Sequence, residues 1–63
     1  MTLSTRLARL LESATNWNID DDGDLVANFL DEDDAECFAS WTKGEQDETQ
    51  VVVDADLLDR LNR

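Results

Sequence analysis

All but one of the sixteen acidic residues of this 63-residue chain fall between Glu12 and Asp56, where Lys43 is the only cation. Arg6, Arg9, Arg60 and Arg63 are confined to the two end segments. The resulting net charge of -11 limits what the chain can fold into, because like-charge repulsion opposes any compact state. A stable fold must place these carboxylates at turns and connections, where they project into water. A surplus this large also points beyond the fold, to a partner or a solvent.

The chain is short enough for one domain only, residues 1–63, and a domain of this size buries only about 60% of its unfolded surface. Its 41% apolar content is nevertheless too high for a disordered acidic tail and falls in organised stretches. A folded domain with a thin stability margin is expected, and homodimerisation is one way to widen it. The lone Cys37 has no disulfide partner, and with no histidine it anchors no zinc site. A reducing, cytoplasmic setting fits this usage. No apolar run is long enough to span a membrane, and Arg6 and Arg9 interrupt the apolar core that a signal peptide needs. Strong negative charge argues against direct contact with nucleic acid or anionic lipid.

Leu3, Leu7, Leu10, Leu11 and Ala14 recur at the spacing of one helix face, giving an amphipathic helix of about three turns with Thr2 or Ser4 as its cap. Trp17 and Ile19 then alternate with Asn16, Asn18 and Asp20, as on a strand. Asp20 to Gly23 reads as a hairpin turn, and Leu25, Ala27 and Phe29 line one face of the returning strand. Asp31 to Asp34 reads as a connection. Residues 35–42 fit a strand, since Phe, Trp and Thr suit pleated surfaces; a helix capped by Asp34 competes with it. Thr49 to Val53 is strand-like, and Asp54 caps a last helix bearing Leu57, Leu58 and Leu61, with Asp56 and Asp59 early and Arg60 and Arg63 late. The expected fold is α+β: an N-terminal helix, a three- to four-stranded antiparallel meander, and a short C-terminal helix. Both leucine stripes would pack on one sheet face against Trp17, Phe29, Val52 and one of Phe38 or Trp41.

Enzymatic chemistry is not expected. Without histidine or tyrosine, and with one cysteine and one lysine, the usual base and nucleophile pairs cannot be assembled. Paired carboxylates would need a pocket that so small a domain has little interior to provide. Asn18, Asp20, Asp22, Gly23 and Leu25 imitate the start of a calcium loop, but its last position falls on Phe29, and the flanks read as strands rather than helices. No metal or cofactor is expected. Cys37 reads as a small buried residue, and Trp17 and Trp41 as core.

Charge carries the sharpest functional reading. Duplex DNA holds one charge per about 1.7 Å of axis. A compact chain of this length has an expected diameter of about 27 Å, and DNA of that length carries about 16 phosphate charges. Three acidic groups, Asp20 to Asp24, Asp31 to Glu36 and Glu45 to Glu48, concentrate the effect. Two of them follow strands by similar intervals, which would bring them near the same sheet edges. In size, charge and helix-and-sheet plan the chain resembles the small acidic DNA-mimic inhibitors encoded by phages, including anti-CRISPR proteins. The resemblance implies a stoichiometric inhibitor in the host cytoplasm that occupies the DNA site of a basic nucleic-acid-binding protein or complex. The expected contact surface is Asp20, Asp21, Asp22, Asp24, Asp31, Glu32, Asp33, Asp34 and Glu36.

Two other readings compete. Abundant acids, one Lys and four Arg also suit a halophile's domain, whose acidic surface serves only solvation in molar salt. The stretch from Leu10 through Trp17 and the acidic turn to Phe29 is similar to the opening of small bacterial secretion-chaperone-like domains. That similarity implies dimerisation and binding of an unfolded client through exposed apolar surface.

Overall fold

The computed structural model describes residues 4–62. Its elements run α1 (Thr5–Leu11), β1 (Ala14–Ile19), β2 (Leu25–Phe29), α2 (Glu32–Thr42), β3 (Glu45–Asp47), β4 (Gln50–Val53) and α3 (Ala55–Leu61). The four strands form one antiparallel sheet in the order β1-β2-β4-β3. The chain is thus α+β, helix first and short helix last, as its patterning predicts.

Helix α1 starts at Ser4, whose Oγ accepts from the Leu7 N–H at 3.2 Å; the alternative cap Thr2, the stripe residue Leu3 and the terminal Arg63 lie outside the described residues. The helix is two turns rather than three, and Ala14 belongs to β1 instead. Thr15 and Asn16 are poor helix formers, and pairing with β2 draws Ala14 opposite Phe29. A bulge at Thr15 separates that pair from Asn16↔Asn28.

Residues 35–42 are helical, which corrects the strand reading. The cap is Asp31 rather than Asp34: Asp31 Oδ1 accepts from the Asp34 N–H at 3.0 Å. Asp31 to Asp34 is therefore the cap and first turn of α2, where Glu32, Asp33 and Asp34 complement the positive end of the helix dipole. Ala35, Phe38, Ala39 and Thr42 form the buried stripe at helical spacing. Thr42 is polar and fully buried, but its hydroxyl donates to the Phe38 carbonyl at 2.8 Å and accepts from the Gly44 N–H at 3.2 Å. The helix ends on Lys43 in the left-handed region (φ 63°).

One core joins the layers. Leu7 and Leu11 of α1, Ala35, Phe38 and Ala39 of α2 and Leu58 of α3 pack with Leu25, Ala27, Phe29, Val51 and Val53. Register puts all five of these strand residues on the same sheet face, so the three helices cover one face and leave the other open. Phe29 and Phe38 meet with ring centroids 5.2 Å apart. Val52 is not in the core, since its neighbours Val51 and Val53 take the inward positions. Trp17 and Trp41 are not core residues either, being 42% and 48% exposed; Trp17 lies on edge strand β1, where helical cover stops. Cys37 is exposed as well, because the α2 stripe turns its neighbour Phe38 inward instead. Ser4 closes the molecule by donating its N–H to Asn62 Oδ1 at 2.9 Å.

Candidate partner-binding surface

The β1–β2 hairpin holds Asp20, Asp21, Asp22 and Asp24. Asp20 shapes it: its Oδ1 accepts from the N–H groups of Asp22 (2.9 Å) and Asp24 (3.0 Å), while Gly23 supplies the positive φ of 87°. Asp24 acts at longer range. Its Oδ1 accepts from the Ala55 N–H at 2.8 Å and so caps α3, whose own N-cap residue Asp54 makes no side-chain cap bond. Asp21 and Asp22 point their charge to solvent.

The second group lies at the opposite end of β2. Six residue steps from Asp24 to Leu30 span about 20 Å, so the two groups do not share a sheet edge, which corrects that expectation. The cause is the strand between them, β2, which carries the chain from one end of the sheet to the other. Asp31 caps α2, while Glu32, Asp33, Asp34 and Glu36 are exposed on its first turns.

The third group divides between the two ends: Glu45 lies toward the hairpin, Asp47 and Glu48 beside the second group. Glu45 to Asp47 is strand β3 rather than a connection, and the turn to β4 falls beside the start of α2. Gln46 fastens them, its Nε2 donating to the Glu48 carbonyl at 2.9 Å and the Glu32 carbonyl at 3.3 Å. Carboxylates therefore gather at two poles, one around the hairpin and one around the α2 start with Asp47 and Glu48. At the hairpin pole Asp24, Glu45 and Asp54 line a shallow cleft together with Lys43.

Between the poles lies the open sheet face. Register aligns two rows across all four strands: Asn16–Asn28–Gln50–Asp47 and Asn18–Val26–Val52–Glu45. Asn28 Nδ2 donates to Asn16 Oδ1 at 2.8 Å. Among the described residues no strand contains Lys or Arg; the cations sit on α1, α3 and at the end of α2. The alternation of Asn16 and Asn18 was visible in the sequence, but the row became legible only with the register that sets Asn28 and Gln50 beside them.

Asp20, Asp22 and Asp24 bring carboxylate oxygens within 4.8 Å of one another. The flanks of this loop are strands, and two of the three carboxylates already accept backbone N–H groups, so the cluster is explained by the hairpin itself. On the helical side, Arg9, Leu10, Cys37, Phe38 and Trp41 line a groove between α1 and α2, where the Arg6 guanidinium carbon lies 5.0 Å from the Trp41 ring centroid. Comparison with protein-family models, curated proteins and solved structures finds no match. Among the described residues no helix is long and apolar enough to cross a membrane.

Proposed function

We propose that this chain is a non-enzymatic inhibitor that presents nucleic-acid-like charge and occupies the DNA-binding site of a basic partner, such as a CRISPR effector complex, in the cytoplasm of a host cell. One observation carries the reading: a net charge of -11 rides on a body 27 Å long, with carboxylates at both sheet ends and, among the described residues, no cation in a strand. DNA of the same length bears about 16 charges, so the density is on the order of two-thirds that of the duplex. A basic groove built for phosphates is attracted to such a surface, and fixed carboxylate positions add specificity.

Asp20, Asp24 and Asp31 are committed to turn and cap bonds, so the test reverses five of the other six. Asp21→Lys with Asp22→Lys, and separately Glu32→Lys with Asp33→Lys and Glu36→Lys, are expected to weaken binding at least tenfold in pull-down and DNA-competition assays, with melting cooperative. Unchanged binding by both variants sinks the proposal.

A second reading is favoured by the exposure of Trp17, Trp41 and Leu30, the last 81% exposed. Exposed tryptophans suit an interaction module that binds through apolar surface. Partner binding that survives high salt but fails in Trp17→Ala or Trp41→Ala would select it over charge mimicry.

A further inference from the structure

We infer that the groove between α1 and α2 is the seat for a second copy of this chain, the two copies meeting about a two-fold axis that lays α1 of each across α2 of the other. The inference goes beyond the charge-mimic reading and does not rest on it. Three observations carry it. The two helices run antiparallel along the groove: Arg6 stacks on Trp41 at 5.0 Å near the end of α2, while Ser13 and Asp34 line the groove near the start of α2. The groove keeps apolar groups open to water, with Trp41 48% exposed and Cys37 exposed beside the half-buried Leu10. Its charges are separated by sign. Helix α1 contributes Arg6 and Arg9, which have no carboxylate within ion-pair distance among the described residues, and α2 contributes Asp34.

This arrangement is complementary to itself. Leu10 and Cys37 line the middle of the groove, and a two-fold axis there exchanges its ends. Arg6 lies four residues before Leu10, about 6 Å along α1, and Asp34 lies three residues before Cys37, about 4.5 Å along α2. Because the helices are antiparallel, these two residues stand at opposite ends of one groove. The rotation therefore brings Arg6 of each copy over Asp34 of the other, and the small mismatch in offset is within the reach of a guanidinium side chain. The same rotation sends each Trp41 to the end of the other copy's groove that Ser13 and Phe29 line, covering the exposed part of the ring. Such a contact is isologous and closes at two copies. Charge also selects the occupant. A basic partner is repelled by the arginine pair of α1, and an acidic one by Asp34, whereas both signs at matched offsets fit a second copy. A chain this short also gains from the apolar burial that pairing adds.

The test is sedimentation equilibrium of the full chain, with Cys37 kept reduced, at about 0.15 M salt, where exposed charges more than about 8 Å apart are largely screened. The chain is expected to pass from monomer to dimer as its concentration rises. A short bismaleimide should then link Cys37 of one copy to Cys37 of the other across the axis. Arg6→Glu and Asp34→Arg are each expected to weaken dimerisation at least about tenfold, and the swap carrying both is expected to restore it, as a pair of opposite charges requires. Arg60→Glu on α3 and Asp21→Arg in the hairpin make the same charge changes away from the groove and should leave dimerisation intact. Thermal melts of all variants separate loss of the contact from loss of the fold. A chain that stays monomeric at every concentration overturns the inference. So does a dimer that resists both single reversals, that the swap fails to restore, or that the bismaleimide does not link. A monomer whose Cys37 is shielded from alkylation only by a basic partner overturns it too, and gives the groove to that partner. The pole reversals leave Arg6 and Asp34 untouched, so a failure here and a failure of the charge-mimic reading are told apart.

Discussion

Asp24 illustrates how one carboxylate can serve the fold inside a surface that otherwise repels itself. Its Oδ1 satisfies the Ala55 N–H at the start of α3, a group that Asp54 leaves uncapped. Asp24→Ala and Asp24→Asn remove the same charge, but only asparagine keeps an acceptor. The alanine variant is therefore expected to be less stable than the asparagine variant by about 1 kcal/mol in urea unfolding. Equal stabilities would mean that the cap contributes nothing. The sequence could not reveal this role, because donor and acceptor lie 31 residues apart and Asp54 sits at the obvious cap position. The same blindness applies to Asp20 and Asp31, which resemble their acidic neighbours in every local respect. Of nine carboxylates expected to face a partner, three carry structural duties that only the folded chain exposes.

At the level of elements, α2 is where local preference and tertiary packing part company. Phe38, Trp41 and Thr42 favour a strand on propensity, yet the stripe Ala35, Phe38, Ala39, Thr42 fits a helix that closes the core over β2 and β4. The first and last helices and the β1–β2 hairpin were legible, since leucine spacing and an Asp-Gly turn have no strong competitor. β3 was not, because three polar residues at a sheet edge carry no apolar alternation to read. The junction after α2 offers a sharp test of this packing. A Cβ on Gly44 would lie 2.9 Å from the Val52 carbonyl oxygen and 3.0 Å from Val51 Cγ1, with backbone and core on either side. Gly44→Ala is expected to cost about 1–3 kcal/mol in urea unfolding. An unperturbed midpoint would show that β4 gives way freely.

The molecule as a whole is small and densely charged, with a radius of gyration of 10.3 Å. The eleven buried apolar residues among those described must hold against the repulsion of two carboxylate poles. Screening shortens the reach of that repulsion from about 10 Å at 0.1 M salt to about 3 Å at 1 M. The melting temperature is thus expected to rise with potassium chloride, from a transition that is already cooperative in dilute buffer. A chain that folds only in molar salt would mark the acidic surface as an adaptation to brine and remove the main support for mimicry. The bond between Ser4 and Asn62 has its own consequence at this scale. It makes the architecture a closed loop, with the described ends of the chain side by side and neither belonging to a strand. A short linker there would let the polypeptide be reopened elsewhere without disturbing the sheet order. The turn at Glu48, whose backbone already sits at a positive φ of 56°, is the natural place for the cut. Such a permuted chain would begin with β4 and end with β3, and would carry any fused label at the α2 pole.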